Sequence, residues 1–424
     1  MIKTTRFSVY VSVYLFVCLL GNVALVVLFL NVQPWNRPLY PATARPRKHD
    51  WDVTSDRSLG CDDIAAFTNL TVIGSGWTKL VYSGDYHGAT VAVKTVHTSG
   101  HDMVECTDPP RVCYQQCADK IIKEIGLLKT LAHPNVIKVY GECVPEVIYS
   151  PGHPLVGVAA VTEFGHPLSV VHLLQMNFDQ RLLLARDVGR LLFHLALSPL
   201  GPLLMKDFRR EQFVLVDGTL KVSDVDDLNI GDPPCSTSDQ CSLKDPTTEE
   251  TLVTLICNGG ECQGFNSRLN ALQASQHFLR LLLPYGSPPT LESPAMMLMD
   301  RLARGLEDSE AVHQYLENLV TDYSAGRYLT SRQRDKLQEF SVSKGYSIEG
   351  ADFSCTKTNP NMCQQSVSSP GEAAWLCWQW PQCAAFILLN QWSWTGRQIA
   401  IFKSSARDMH KSRRIVLYIR KGQG

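Results

Sequence analysis

Two glycines interrupt an apolar strand pattern at Ile73-Gly74-Ser75-Gly76-Trp77-Thr78-Lys79-Leu80-Val81, and a lone lysine closes the next apolar run, Val91-Ala92-Val93-Lys94. Glycine carries no Cβ, so backbone amides can approach an anion closely. A lysine ending a buried strand is tolerated there only beside an anionic partner. Together they read as a lid over nucleotide phosphates, with Lys94 gripping the phosphates. Three strands are expected around them, Asn69–Ile73, Leu80–Tyr86 and Thr90–Thr95, punctuated by Gly84-Asp85 and His87-Gly88.

A partner for Lys94 is expected on the next helix. Ile121, Ile122, Ile125 and Leu128 recur at helical spacing over Ala118–Leu131. Glu124 lies beside that stripe, and a charge on such a face needs a buried counter-ion. His133-Pro134 ends the helix. Strand-like runs follow at Val136–Val144 and Val156–Thr162, then a long apolar helix at Phe178–Leu200.

Two further carboxylates converge by topology. Phe213–Val216 and Thr219–Val222 are β-branched runs joined by Asp217-Gly218, a strong hairpin signal. In an antiparallel hairpin the residue entering the first strand and the residue leaving the second lie at one end. Asp207 and Asp224 therefore share an edge. One can orient a hydroxyl; the other, with Gln212, can hold Mg²⁺ on phosphates. Taken singly, each Asp reads equally as a turn or cap residue.

The compartment is set by the N-terminus. Phe7–Leu30 contains 24 positions without a charge, and a helix of that length spans ~36 Å, more than the ~30 Å hydrocarbon core. Lys3 and Arg6 precede it and favour a cytosolic N-terminus over residues 1–6. The span reads as an uncleaved signal-anchor, or else as a cleaved signal of unusual length. Either sends the remainder into the secretory lumen, where disulfides are allowed and Asn69-Leu70-Thr71 becomes a glycosylation acceptor. Residues 31–58, with four prolines and no apolar period, read as a stem. Of 14 cysteines, Cys18 lies in the apolar span, which leaves an odd number for the lumen and at least one thiol outside an intrachain pair. Their spacings lack the paired CxxC and histidine pattern of common zinc sites. A net charge of −1 gives no global field for nucleic acid.

Helical patterns resume at about Asn270–Leu283, Ala295–Leu306 and Ser309–Ala325. From 341 to 424 the composition shifts to a Cys- and Trp-rich extension, expected as a clamp on the preceding domain or as a small recognition unit. The basic run His410–Arg420 reads as a solvated terminal strand, or as a surface for acidic glycans or proteins.

The order glycine loop, strand lysine, helix glutamate, aspartate, aspartate resembles the protein kinase fold. This implies an α+β, two-lobed domain over residues 59–340, with a β-rich N-lobe and a helical C-lobe. Glu163 and Phe164 resemble the hinge that meets adenine. Several positions depart from the common kinase pattern. The catalytic triplet reads Met205-Lys206-Asp207, the metal-binding Asn is Gln212, and the metal motif reads Asp224-Val225-Asp226. Lys79 holds the place of the third glycine, and no Ala-Pro-Glu motif closes the activation segment.

These departures, with Leu59-Gly60-Cys61, Gly74–Lys79, Asp207-Phe208-Arg209, Gln212–Gly218, Leu220–Asp224 and Trp394-Thr395-Gly396-Arg397-Gln398, resemble the vertebrate lonesome kinase family of secretory-pathway protein tyrosine kinases. The resemblance implies ATP as phosphate donor, Mg²⁺ or Mn²⁺ as metal, secreted or extracellular proteins as substrates, and residence in the Golgi lumen or membrane, with secretion. In it Ile73–Val81, Lys94, Glu124 and Glu163 hold the nucleotide. Asp224 and Gln212 hold the metal, and Asp207 is catalytic. The alternative is a lumenal pseudokinase scaffold, motivated by the altered triplet and by Asp226 in the place of glycine.

Overall fold

His87 and Gly88 both adopt positive φ, 48° and 83°. Such a two-residue turn matches the twist of the strands it joins and fixes their register. Those strands belong to a run of three, β1 (Thr68–Ser75), β2 (Lys79–Tyr86) and β3 (Ala89–Val96), each antiparallel to the next. The structure, a computed structural model, describes residues 58–145, 157–245, 248–284, 286–355 and 361–422. The Phe7–Leu30 span and the stem as far as residue 57 lie outside the described residues. Among the described residues no helix is long and apolar enough to cross a membrane. Asn69 of the sequon is exposed, and its amide donates to Asp85 Oδ2 at 2.9 Å.

Helix α1 (Pro110–Thr130) starts eight residues before the expected Ala118. Pro110 opens it, where a missing N–H costs nothing. Cys113, Tyr114 and Cys117 extend the buried face of Ile121, Ile125 and Leu128. The apolar stripe legible in the sequence begins at Ile121, so the earlier turns of the helix lay outside it. Strands β4 (Val139–Cys143) and β5 (Ala159–Glu163) complete a sheet of order β1-β2-β3-β5-β4. Before β4, residues Asn135–Ile137 leave this sheet and bond instead to Val222, with Ile137 N–H donating to Val222 O at 2.9 Å. The chain at Leu59 runs beside β4, and the Cys61–Cys143 disulfide pins it there. Gly141 permits the approach, since a Cβ there would stand 2.2 Å from the Leu59 carbonyl oxygen.

The helical part forms around α2 (Phe178–Ala196), capped by Asn177, whose side chain accepts from Gln180 N–H. Leu182, Leu192 and Leu195 are fully buried, each contributing roughly 1.5–3 kcal/mol. The hairpin β6 (Phe213–Val216) and β7 (Thr219–Val222) turns through Asp217 and Gly218, with φ of 49° and 81°. Beyond it, Cys235–Cys257 and Cys241–Cys262 staple an irregular segment, each loop worth about 3 kcal/mol in chain entropy. Helices α3 (Phe265–Ala274), α4 (Pro289–Ala303) and α5 (Ser309–Ser324) pack round α2. Thirteen cysteines are described, of which twelve form six disulfides and Cys117 is a buried free thiol.

The extension is a five-stranded antiparallel sheet with one helix. Its elements are β8 (Phe340–Ile348), β9 (Cys363–Val367), α6 (Pro370–Gln379), β10 (Ala385–Trp392), β11 (Gln398–Lys403) and β12 (Met409–Arg420). The sheet order is β8-β12-β10-β11-β9. The basic run is the edge-proximal strand β12, largely exposed over Met409–Arg414. The loop Trp394–Arg397 docks the extension on the helical part. Trp394 Nε1 donates to Asp179 O at 3.0 Å, and Arg186 lies 4.3 Å over the Trp394 ring. Arg397 is 1% exposed. It donates to the Tyr323 carbonyl at 2.6 Å and the Ser366 carbonyl at 2.8 Å, and it pairs with Glu372 at 2.5 Å. Arg397→Met leaves Glu372 buried without its cation. Denaturant unfolding of this variant should show a loss of about 3–5 kcal/mol; a loss under ~1 kcal/mol would mean the clasp is not needed for stability.

His133 stacks on His194 at 4.4 Å, and its Nδ1 accepts from Asn135 N–H at 3.1 Å. Burial, then His194 and Arg190, hold its pKa at about 4 against the ordinary 6.5. The unfolded chain therefore takes up a proton near pH 6.5 that folded His133 refuses until about pH 4. Stability from this group is complete above that window and is lost as pH falls through it. In His133→Gln, which keeps an acceptor, unfolding free energy should fall less steeply between those pH values. An unchanged slope would contradict the assignment.

Candidate active site

The register of β2 and β3 decides which side chains share a face. Lys79 lies opposite Val96 and Val81 opposite Lys94. Because side chains alternate along a strand, both lysines point to one side of the sheet as diagonal neighbours. Helix α1 packs on that side and presents Glu124, 1% exposed. Its two carboxylate oxygens are divided: Oε1 accepts from Lys94 Nζ at 2.6 Å, and Oε2 from Lys79 Nζ. Lys94 also donates to the Ser223 carbonyl, which ties β3 to the segment after β7.

That segment brings the next two acids. Asp224 Oδ1 lies 2.7 Å from Lys79 Nζ and Asp226 Oδ2 lies 3.1 Å from it. Carboxylate oxygens of Glu124, Asp224 and Asp226 all fall within 4.8 Å of one another. Burial alone would lower the Lys79 pKa, but the three carboxylates outweigh it and raise it, so the ammonium persists. Asp224 is half-buried; desolvation would raise its pKa, but Lys79 and Lys94 outweigh it and hold the carboxyl below the ordinary value. Asp226 goes the other way, raised by burial and by the neighbouring Asp224 charge. Three hard oxygen donors so close suit a divalent cation such as Mg²⁺ or Mn²⁺.

The hairpin brings Asp207 to the same edge, as its antiparallel geometry requires, with Ser223 N–H donating to Gln212 O at 2.8 Å. Arg209 grips the Asp207 carboxylate with two donors, one at 2.6 Å, and Gln212 Nε2 donates to Asp207 Oδ2. The Arg209 bond chiefly holds Asp207 below the ordinary carboxylate range. Gln212 thus turns its amide nitrogen to Asp207, leaving its carbonyl oxygen as the atom able to meet a metal. Asp227, which the sequence reading passed over, accepts from Asp207 N–H and fixes its backbone.

The loop Ile73–Val81 overhangs this cluster. Gly76 N–H donates to Lys79 O at 2.8 Å, closing the turn, and Trp77 at its tip is 69% exposed and stacks on His101. Thr78 donates to Asp102 and does not face the acids. Glu163 ends β5, but its carboxylate accepts from Lys221 Nζ at 2.6 Å and from Lys138 N–H at 2.9 Å. Its side chain is committed to holding the strand end, so a base meeting this edge would meet backbone.

A glycine-bearing turn, a lysine paired to a helix glutamate, and two aspartates at one hairpin edge are the arrangement expected of the protein kinase class. Comparison with known proteins agrees. The extracellular tyrosine-protein kinase PKDCC of Homo sapiens is 36% identical over 355 residues, covering 82% of this chain and 70% of that protein. The probable serine/threonine-protein kinase pats1 of Dictyostelium discoideum is 27% identical over 152 residues, 34% of this chain and 4% of that much longer protein. No protein-family model matches the chain. The chain belongs to the PKDCC family of protein kinases.

Glu124 carries the folding consequence of the site. Glu124→Gln leaves two buried ammoniums without their shared carboxylate, and unfolding free energy should drop by about 3 kcal/mol. Asp207→Asn, at a half-exposed position, should change it by less than ~1 kcal/mol. Equal effects would place the structural weight elsewhere.

Proposed function

We propose that this chain is an ATP-dependent protein kinase of the secretory pathway that phosphorylates tyrosine on secreted or extracellular proteins. The observation that carries the reading is the Lys94–Glu124 pair standing beside Asp224, with Asp207 across the hairpin edge. Kinship with a protein named as an extracellular tyrosine kinase supplies the tyrosine and the compartment. The six disulfides accord with an oxidising lumen.

In this reading Ile73–Val81 covers the phosphates with backbone amides. Lys94, oriented by Glu124, meets the α- and β-phosphates, and the chain at Glu163-Phe164 lines the adenine edge. Asp224 and Gln212 would hold the divalent ion, with Asp226 beside them, and such an ion would neutralise charge developing on the transferred phosphoryl group. Asp207 accepts the hydrogen bond of the substrate hydroxyl and aims it in line with the phosphate. Its lowered pKa makes it an orienting acceptor, not a strong base. The Phe7–Leu30 segment, when retained, anchors the enzyme to the membrane.

The scaffold reading draws on one observation, the Lys79 ammonium among the acids that would hold the metal. The two readings separate on one assay. With Mg-ATP and a mixture of secreted proteins, the wild type should form phosphotyrosine, and Asp207→Asn should form about 10²–10⁴-fold less. Equal phosphotyrosine with both would remove Asp207 from the mechanism. No transfer and no nucleotide-dependent thermal shift would favour the scaffold, and phosphoserine or phosphothreonine alone would contradict the tyrosine assignment.

A further inference from the structure

The nucleotide reading employs one lysine, yet two are buried on the same face. Lys79 is 7% exposed and Lys94 6%. Their surroundings differ. Lys94 has Glu124 and a backbone carbonyl. Lys79 is enclosed by Glu124, Asp224 and Asp226, the three carboxylates close enough to share a divalent ion. Its ammonium therefore stands where the metal would have to enter. Two cations a few ångströms apart in a buried site repel strongly. A divalent ion arriving alone must expel Lys79 from Asp224 and Asp226, leaving the ammonium only Glu124, whose other oxygen already serves Lys94. Arriving with nucleotide, the same ion would bring phosphate oxygens, which could offer the ammonium a replacement partner.

We propose that Lys79 is a tethered counter-ion of the metal site. It fills the divalent-ion position while the site lacks nucleotide and transfers to the nucleotide phosphates on loading, so metal binds well only together with nucleotide. The second half rests on the nucleotide reading above; the first half does not. Lys79 acts here as a positioning residue, holding Asp224 and Asp226 together and fixing the order of binding.

Mn²⁺ titration followed by electron paramagnetic resonance tests both halves on the purified protein. With Mn²⁺ alone, Lys79→Met should bind at least tenfold more tightly than the wild type, whereas Lys94→Met should not. A non-hydrolysable ATP analogue should strengthen Mn²⁺ binding by the wild type at least tenfold and by Lys79→Met far less. Lys79→Met binding Mn²⁺ no better than the wild type would overturn the counter-ion. If Lys79→Met does not fold, the wild type decides: Mn²⁺ affinity unchanged by a nucleotide that does bind overturns the proposal. A wild type that fails to bind nucleotide, while Lys79→Met still gains Mn²⁺ affinity, would remove the nucleotide reading and its coupling and leave the counter-ion standing.

Discussion

One carboxylate serves two ammoniums. Glu124 divides its oxygens between Lys79 and Lys94, and each lysine in turn reaches the segment after β7. An uncompensated charge in this interior would cost several kcal/mol, so none of the three can be placed independently of the others. The β2–β3 register must bring both lysines to one face. Helix α1 must lie against that face, and the hairpin must deliver Ser223 and Asp224 beneath it. Satisfying the buried charges joins the sheet, the helix and the hairpin, which is also what a phosphate-handling site requires.

The site also has a consistent electrostatic gradient. Asp224 lies against the lysines, which hold its carboxyl below the ordinary range, while burial and the Asp224 charge push Asp226, further along the same loop, above it. Asp207 sits outside the buried group and is held ionised by Arg209. The two aspartates are kept charged for different reasons, one by buried lysines and one by an exposed arginine, which fits the different tasks proposed for them, binding a cation and orienting a hydroxyl. Far from this edge, Arg397, held by Glu372 and Ser366 of the extension, reaches α5 at the Tyr323 carbonyl, while Trp394 meets α2 at Asp179. Arg397 too is a buried charge that is stable only when two parts of the chain are assembled.

Much of this was legible in the residues. The Asp217-Gly218 turn predicted the hairpin and hence the convergence of Asp207 and Asp224, because antiparallel pairing leaves little freedom. Glu124 was legible from its place beside the Ile121–Leu128 stripe. The start of α1 was obscured, because its first buried positions are Cys113, Tyr114 and Cys117, upstream of the isoleucine and leucine stripe that marks the helix. The inward turn of Lys79 was missed, although its signal was present: a two-residue turn at His87-Gly88 fixes the register, and the register puts Lys79 on the face of Lys94. The commitment of Glu163 to Lys221 and of Gln212 to Asp207 depends on side-chain geometry across distant segments, which no local pattern encodes. Cysteine parity required an unpaired thiol, but only the packing identifies it as Cys117.

In the proposed function, the face shared by Lys94, Glu124 and Asp224 receives the phosphates of a metal-bound nucleotide. The most direct measurement is an experimental structure of the protein with a non-hydrolysable ATP analogue and Mg²⁺. The triphosphate is expected under the Gly74–Gly76 turn, with Lys94 Nζ within hydrogen-bond distance of the α- or β-phosphate and the metal on Asp224. A saturating nucleotide bound elsewhere, with the Lys94–Glu124 pair untouched and no metal at Asp224, would contradict the proposed function.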